Sequence, residues 1–374
     1  MITAPGIENL CHDELMCLPL SRREAAIVMG GIEFRGRLHD CYLANLKLAT
    51  ANRILMRITH FKANTFHKLY KKIAQFPWEL YLSGGSELKV RVSSKQSRLY
   101  HKGAVAEYFE KAIAKRLGEY CPPRTDDGNA FTCGQQIFVR IIEDQFTVSI
   151  DSSGELLHKR GLKSYRAVAP VRETIAAAIL QLAGYKEADP LIDPMCGSGT
   201  FSLEAAMMIK HIPPGWFREF AFMGWPGFSP GRWQHLRKSC EAVFATKSAP
   251  QIFASDSDEL MCAAMRQSVE EYQISDAVQV VCRDFFQLDP EELTDKKGLV
   301  ILNPPYGMRM AGKANGEEFF AAICSQLKKV YGGWQLALII PEKHLKNKVP
   351  IPGLTEHRLF HGGLKIVLMT GRIP

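Results

Sequence analysis

The 374-residue sequence contains ten cysteines, but it has no C-x-x-C pair and no cysteine and histidine group at the spacing of a zinc site. A structural metal is therefore not expected. No apolar run approaches the about 20 residues that a membrane-crossing helix needs, and the first residues lack the basic stretch and apolar core of a signal peptide. We therefore expect a cytoplasmic protein without a membrane partner, whose thiols stay reduced.

The charge of the chain is unevenly distributed along its length. The formal net charge is +8; residues 1–160 hold 23 lysines and arginines against 17 aspartates and glutamates, whereas the remainder holds 24 against 22. A basic excess of this kind suits a polyanion such as RNA, although many proteins with a pI near 8.9 bind no nucleic acid. The length predicts two or three domains, and the sequence leaves the oligomeric state open.

The first 155 residues mix helical and strand-like patterns without strict alternation. In residues 1–60 the spacing of apolar residues predicts a helix over Ala44–Ile58. In residues 61–155, alternating apolar residues predict several strands, with a basic loop at 93–103 after the first of them. The strands are at 88–92, 137–142 and 145–150, with a tight turn at Glu143-Asp144. These patterns predict an α+β region.

Residues 156–374 change to an α/β pattern after a polar turn at 151–154. Helices alternate with continuous apolar runs, which are typical of strands covered on both faces of a parallel sheet. The runs are Leu191-Ile192, Ile252–Ala254, Val278–Val281, Leu299–Leu302, Leu336–Ile340 and Ile366–Met369. The pattern predicts a mostly parallel, doubly wound α/β sheet of the Rossmann-like kind.

A glycine-rich segment, Asp193-Pro194-Met195-Cys196-Gly197-Ser198-Gly199-Thr200, joins the first of these strands to a predicted helix at 201–209. Such a loop lies at the binding crevice of a doubly wound sheet, where glycines let the backbone approach a ligand. A phosphate-binding loop would need a lysine before Thr200, and a dinucleotide loop would need a glycine where Ser202 stands. The remaining ligand class is S-adenosylmethionine, which has a sulfonium, a ribose diol and an adenine but no phosphate.

Three aspartates stand at predicted strand ends: Asp193, Asp256 and Asp284. They would lie along one edge of the sheet. Asp256 could accept hydrogen bonds from both ribose hydroxyls, Asp284 could accept one from the adenine amine, and Asp193 could favour the cationic end of the cofactor. Each alone could instead be a turn or helix-cap aspartate. The three together predict an S-adenosylmethionine site.

The segment Asn303-Pro304-Pro305-Tyr306 follows another apolar strand. The prolines fix φ and remove two N–H donors, so the chain must turn rigidly at the crevice. The Asn303 amide oxygen and the Pro304 carbonyl then offer two acceptors to an exocyclic amine, and Tyr306 can stack on a base. Alignment would supply much of the catalysis, and the base must be flipped out or unpaired to be reached. The segment predicts methylation of a base amine and leaves the base open, with adenine N6 among the possibilities.

These motifs, in this order, resemble the class I methyltransferases that modify amino groups, and more closely the THUMP-domain RNA guanine-N2 methyltransferases. Within that family the chain resembles the amino-terminal methylase half of the bacterial enzyme that makes N2-methylguanosine in 23S ribosomal RNA. The motifs that carry the resemblance are 158–161, 169–174, Asp193–Thr200, 255–258 and Asn303–Gly307. The resemblance implies a ferredoxin-like segment at 1–60, a THUMP RNA-binding domain at 61–155 and a class I methyltransferase domain at 156–374.

The resemblance also implies a reaction and the residues that perform it. The chain would methylate guanine N2 in 23S rRNA, with tRNA as the alternative substrate and a non-catalytic RNA-binding assembly factor as the alternative of another class. The catalytic residues would be Asn303, Pro304 and Tyr306. The cofactor contacts would be Tyr165, Pro170, Asp193, Cys196, Gly197, Ser198, Gly199, Thr200, Asp256, Asp284, Phe285 and Asn303. The RNA contacts would be Lys95, Arg98, Lys102 and Arg160.

Two segments depart from the family pattern or leave alternatives open. Where the family reads Arg-Gly-Tyr-Arg, this chain has three residues inserted before Tyr165, so either Tyr165 or Arg166 is the expected cofactor contact. The Pro/Gly-rich aromatic insertion at 213–233 either covers the sheet or, with Arg218 and Arg232, forms a wall that grips the target nucleotide. Bifunctional relatives carry a second methylase half that this sequence lacks, so we expect one reaction.

Overall fold

The structure is a computed structural model that describes residues 1–83, 88–118, 134–161, 171–246, 249–305, 313–341, 349–361 and 364–374. Three sheets and their helices follow one another along this part of the chain. Among the expected site residues, Tyr165, Arg166, Pro170 and Tyr306 lie outside the described residues. No helix within the described ranges is long and apolar enough to span a bilayer.

The first sheet is antiparallel and is built from residues before 54. Its elements are β1 (Ile2–Thr3), α1 (Glu8–Met16), β2 (Ala25–Val28), β3 (Gly31–Phe34), α2 (Leu38–Lys47) and β4 (Ala51–Arg53). The strands lie side by side in the order β2-β3-β1-β4. Strand β2 is thus an edge strand, and the hairpin that it forms with β3 projects Met29 fully into solvent.

The helix predicted over Ala44–Ile58 is wrong beyond Lys47, because the chain turns there and enters β4. The Glu14 carboxylate accepts hydrogen bonds from the backbone N–H groups of Ala49 and Thr50, at 2.5 Å and 3.1 Å, and from the Thr50 hydroxyl. In a continued helix these N–H groups would bond to carbonyls four residues earlier. A tertiary contact therefore overrides the local apolar spacing.

The second sheet mixes parallel and antiparallel pairs. Its elements are β5 (Leu55–Lys62), α3 (Phe66–Gln75), β6 (Leu88–Lys95), α4 (Lys102–Leu117), β7 (Gln135–Ile142) and β8 (Gln145–Asp151). The order is β5-β8-β7-β6, and β6 and β7 run parallel. Glu143 and Asp144 both have positive φ, 51° and 62°, which is the geometry of a tight hairpin turn between β7 and β8. The strands and the turn predicted in this region are confirmed.

The third sheet has the doubly wound arrangement predicted for residues 156–374. Its strands are β9 (Leu191–Asp193), β10 (Ile252–Asp256), β11 (Val278–Cys282), β12 (Leu299–Leu302), β13 (Gln335–Pro341), β14 (Thr355–His361) and β15 (Leu364–Arg372). The helices are α5 (Glu173–Leu182), α6 (Thr200–Ile209), α7 (Pro230–Glu241), α8 (Glu259–Glu271) and α9 (Lys313–Val330). The strand order is β11-β10-β9-β12-β13-β15-β14, with β15 antiparallel to both neighbours and the first five strands parallel.

Apolar side chains cover both faces of the third sheet, as the continuous apolar runs predict. Leu191 belongs to the same buried cluster as Ile175 of α5 and Met265 of α8, whereas the next residue, Ile192, belongs to the cluster of Ile323 of α9 on the opposite face. Successive strand residues point to opposite faces, so each run must be apolar throughout. The two helical layers leave the carboxyl edge of the sheet as the place where polar side chains gather.

The insertion at 213–233 packs against the first two sheets. Phe222 stacks on Tyr42 of α2 with ring centroids 4.4 Å apart, and Trp225 donates from Nε1 to the Gln135 side chain of β7 at 2.7 Å. Arg218 is buried and donates to backbone carbonyls, so the alternative in which it grips a nucleotide is wrong. Arg232 is exposed. The covering interpretation is therefore the better one: the insertion covers the N-terminal sheets, and its Trp216 and Phe217 also pack against the core of the third sheet.

Candidate active site

The glycine-rich loop lies where the strand order of the third sheet reverses. The chain runs from β9 outward through β10 and β11, and then returns to place β12 on the other side of β9. Gly197 and Gly199 have left-handed φ values of +52° and +75°. A Cβ on Gly199 would lie 1.9 Å from the Met265 sulfur, so a larger residue would force the Met265 side chain to move and would strain the backbone at this positive φ. The loop therefore sits at the topological switch point, where doubly wound sheets bind ligands.

Asp193 is buried at the end of β9, and it is 1% exposed. Its carboxylate accepts a hydrogen bond from the Ser202 hydroxyl at 2.9 Å. Burial raises the pKa of Asp193 to about 7; the Ser202 hydrogen bond opposes this rise and the nearby charge of Asp256 adds to it. Ser202, which stands where a dinucleotide loop would carry its third glycine, thus fixes an acidic group beneath the loop.

Asp256 connects the end of β10 to the glycine loop. One carboxylate oxygen accepts from the Gly197 N–H at 2.9 Å, and the other accepts from the Asp258 N–H at 3.0 Å. The backbone adds a second tie, because the Cys196 N–H donates to the Ser255 carbonyl at 2.9 Å. Cys196 is buried, and burial raises the pKa of its thiol well above the usual value. The loop and the acidic strand end form one hydrogen-bonded unit.

Asp284 and Phe285 follow β11 and begin a short 3-10 helix. The Asp284 carboxylate accepts from the Phe286 N–H at 2.8 Å, which is a helix-capping contact. Phe285 is 2% exposed and stacks on Tyr331 with centroids 6.1 Å apart. The ring of Phe285 is therefore part of the core. Only the backbone of Phe285 is left for the cofactor contact expected from this residue. The exposed ring at this edge belongs to Phe286.

Asn303 and Pro304 leave β12 beside the glycine loop. Leu299 and Val300 of β12 pair with Leu191 and Ile192 of β9, so the two strands end side by side. Asn303 is half-buried and Pro304 is buried. The structure therefore brings together the described residues that the sequence predicted for the cofactor and the target amine: Asp193, Cys196, Gly197, Ser198, Gly199, Thr200, Asp256, Asp284, Asn303 and Pro304.

The residues expected to contact RNA do not share one environment. Lys95, Arg98 and Lys102 are exposed at the end of β6 and the start of α4. Arg160, in contrast, is 4% exposed, and it forms a two-pronged ion pair with Glu204 of α6 at 2.8 Å and 2.9 Å. The prediction that Arg160 contacts RNA is wrong, because its guanidinium is already bound inside the protein.

A cleft between the first and second sheets was not predicted from the sequence. It has a volume of about 1170 Å³ and is lined by β2, β3 and the open faces of β5 to β8. Among the residues that the structure describes, the charged side chains that line the cleft are two glutamates, Glu24 and Glu33, and six arginines, Arg22, Arg35, Arg37, Arg57, Arg91 and Arg140. These arginines are exposed and scattered over more than a hundred residues. Arg57, Arg91 and Arg140 lie on strands β5, β6 and β7, so predicting the cleft would have required the pairing of these strands.

Comparison with families of known proteins matches the three parts of the chain separately. Residues 1–55 match the RlmL ferredoxin-like domain, residues 63–151 match the THUMP domain, and residues 160–368 match the RMKL-like methyltransferase domain. These matches confirm the two N-terminal folds and the methyltransferase fold implied by the resemblance. The limits at 60 and 155 remain our own division of the chain.

Individual relatives match along nearly the whole chain. The chain is 29% identical to YpsC of Bacillus subtilis, a candidate RNA methyltransferase, over 97% of this chain and 93% of YpsC. It is 31% identical to ribosomal RNA large subunit methyltransferase K/L of Methylococcus capsulatus, over 97% of this chain but 50% of that protein. The chain thus spans about half the length of this K/L relative.

A solved structure shows the same architecture. SMU.472, a candidate methyltransferase complexed with SAH, is 28% identical, and it superposes with a TM-score of 0.85 over 100% of this chain and 97% of its own. The match to the methyltransferase domain alone covers more than half of the chain and contains both the glycine-rich loop and Asn303. The chain therefore belongs to the family of RMKL-like methyltransferases.

Proposed function

We propose that this chain transfers a methyl group from S-adenosylmethionine to the exocyclic N2 amine of a guanine in 23S ribosomal RNA. The observation that carries the proposal is the position of Asn303 and Pro304 at the end of β12, directly beside the glycine-rich loop that follows β9. In this arrangement the amine that accepts the methyl group and the cofactor that donates it would meet at the switch point of the sheet.

The donor set at the loop fits S-adenosylmethionine. The groups around Gly197 and Gly199 are the carboxylates of Asp193 and Asp256, which suit a cation and a diol and repel phosphate. A Cβ on Gly197 would meet nothing within 4 Å, so the backbone there is open to a ligand. Asp256 would hold the ribose, Asp284 the adenine amine and Asp193 the cationic end; when bound, the cofactor supplies a methyl group on a positively charged sulfur.

The residues after β12 would orient the target amine. The Asn303 side-chain oxygen and the Pro304 carbonyl would each accept one of its two N–H bonds, which directs the nitrogen lone pair toward the methyl group. The methylated amine then releases one proton to solvent, and no strong base is needed if orientation supplies most of the rate. Tyr306, outside the described residues, would stack on the base.

RNA is the substrate class that the N-terminal half supports. The arginine-lined cleft can hold several phosphates, and the THUMP match covers strands β6, β7 and β8 of the second sheet, which forms one of its walls. YpsC and the K/L enzyme are both named for RNA or ribosomal RNA methylation. The exposed Lys95, Arg98 and Lys102 would extend the same basic surface around the end of β6.

Nucleoside mass spectrometry tests the proposal. Ribosomal RNA and tRNA from a strain lacking the gene and from its parent would be digested separately, and we expect N2-methylguanosine to decrease in the 23S rRNA fraction alone. Loss of the mark from tRNA would make tRNA the substrate, and loss of N6-methyladenosine would change the base. Unchanged nucleosides, with no labelled methyl reaching RNA in vitro, would make the chain a non-catalytic RNA-binding factor.

A further inference from the structure

Residues 152–161, which we call the connector, follow the second sheet and are bound by one buried arginine. The guanidinium of Arg218 donates to four backbone carbonyls of the connector. They are those of Ser153 at 3.1 Å, Glu155 at 2.8 Å, Leu156 at 2.8 Å and Lys159 at 2.8 Å. Charge-assisted bonds from a planar guanidinium are strong and directional, so the connector has one path.

Arg160 fixes the far end of the same connector. Besides its ion pair with Glu204 of α6, Arg160 donates to the Ala49 carbonyl of the first domain at 2.8 Å. Gly161, with φ +103°, lies so close to the insertion that a Cβ there would be 2.1 Å from the Phe217 carbonyl. Two adjacent residues of the connector, Arg160 and Gly161, therefore contact the N-terminal segment at Ala49, helix α6 and the insertion.

The other end of the connector is tied to the first two sheets. The Ser152 N–H donates to the Ile54 carbonyl at 3.1 Å, and Ser153 Oγ donates to the Asn45 side chain at 2.7 Å. Trp225 of the insertion bonds to Gln135 of the second sheet. The insertion that contributes Arg218 thus also grips the sheets that form the cleft.

We propose, on the basis of the function proposed above, that Arg218 is a positioning residue that selects which nucleotide is methylated. RNA bound in the cleft is then held at a fixed distance and in a fixed orientation relative to Asn303. A rigid connector restricts transfer to the nucleotide that reaches the site at that distance. A loosened connector lets neighbouring bases sample the site and lowers the productive fraction of complexes.

The test replaces Arg218 with methionine, which keeps the aliphatic stem and removes the four donors. Arg116→Met is the matched control, because Arg116 is an exposed arginine that pairs with Glu79 away from the connector and the cleft. Ribosomal and transfer RNA from the deletion strain serves as substrate, and the methylated nucleotides are mapped by primer extension and mass spectrometry. We expect Arg218→Met to lower kcat by roughly 10- to 100-fold and to methylate additional neighbouring nucleotides, with the Kd for RNA and for S-adenosylmethionine within threefold of the parent.

A second pair of variants tests the same proposal if Arg218→Met fails to fold. If Arg218→Met does not melt cooperatively, Arg218→Lys, which keeps the charge but not the planar fork, and Trp225→Phe, which removes one bond to Gln135, are assayed instead. Smaller shifts in the same direction are expected from both. A folded variant that methylates the parental nucleotide alone at the parental kcat overturns the positioning role. A parent enzyme that transfers no methyl to RNA overturns the proposed function itself.

Discussion

The carboxyl edge of the third sheet and the cleft between the first two sheets differ in how the sequence builds them. The edge is made of short contiguous segments, such as Asp193–Thr200, whose polar groups are buried or half-buried and are hydrogen-bonded to one another or to neighbouring residues. The cleft is made of single exposed arginines, such as Arg57, Arg91 and Arg140, carried by different strands. The first is preorganised for a small ligand, and the second offers charge over a wide surface.

The difference indicates which property each region can control. Buried acidic groups with fixed partners determine the identity and orientation of a ligand, because a mismatch leaves a desolvated charge unpaired. Exposed arginines contribute affinity that depends on salt and is insensitive to sequence. We therefore expect changes at the edge to alter chemistry and cofactor binding, and changes in the cleft to alter RNA affinity.

The largest effect is expected from Asn303→Ala. Loss of the side-chain acceptor would leave the amine unaligned and lower methyl transfer roughly 100-fold or more, while the Kd for S-adenosylmethionine stays within threefold. Transfer of a labelled methyl group to RNA and titration calorimetry measure the two quantities. Transfer at the parental rate would remove Asn303 from the mechanism.

Asp256→Ala is expected to show the reverse pattern. Cofactor binding should weaken by about 1–3 kcal/mol, because charge-assisted hydrogen bonds to the ribose and the tie to Gly197 are lost. Asp258→Ala is the matched control: Asp258 caps α8 by accepting from the Leu260 N–H at 2.9 Å, so its loss should cost about 1 kcal/mol of stability and leave affinity unchanged. Equal affinity losses in the two variants would show that only the fold of the loop matters.

A double substitution in the cleft, Arg91→Ala with Arg140→Ala, is expected to weaken RNA binding about tenfold and to leave cofactor affinity unchanged. The slope of log Kd against log salt should fall by about 1–2. Arg116→Ala is the charge-matched control, since Arg116 pairs with Glu79 outside the cleft. Filter binding at several salt concentrations measures both properties, and an unchanged slope would exclude the cleft from the RNA surface.

The smallest expected effect is a pH dependence of cofactor binding. Because burial raises the pKa of Asp193 to about 7 from its usual 3.8, the folded protein without cofactor binds more protons than the unfolded chain between these values. Protonation of Asp193 therefore favours the folded state, and this contribution to the free energy of unfolding is lost as pH rises through 7. A bound cation favours the carboxylate, so cofactor binding at pH 7 should release up to about half a proton, and the affinity should strengthen severalfold as pH rises through 7. Calorimetry in buffers of different ionisation heat measures this, and Asp193→Asn should abolish it.

The sequence predicted the contiguous features and missed those that depend on distant partners. The apolar runs and Asp193–Thr200 were recognisable because strand, turn and helix signals adjoin each other. Arg160 was misassigned because its partner Glu204 is 44 residues away, and the helix after Lys47 was wrong because Glu14 determines the turn. The cleft was missed because alternation predicts strands but does not predict which strands pair.

The stacking of Phe222 on Tyr42 has a consequence for the order in which the chain can fold. Tyr42, Phe222, Trp225 and Trp233 belong to one buried cluster, yet about 180 residues separate the first two along the chain. During synthesis the N-terminal sheets leave the ribosome long before the aromatic insertion that completes their core. Until then, the apolar surface around Tyr42 that the insertion covers is exposed to solvent. We therefore expect the nascent chain to need chaperone protection until residue 233 has emerged. A fragment ending at residue 155 should aggregate for the same reason.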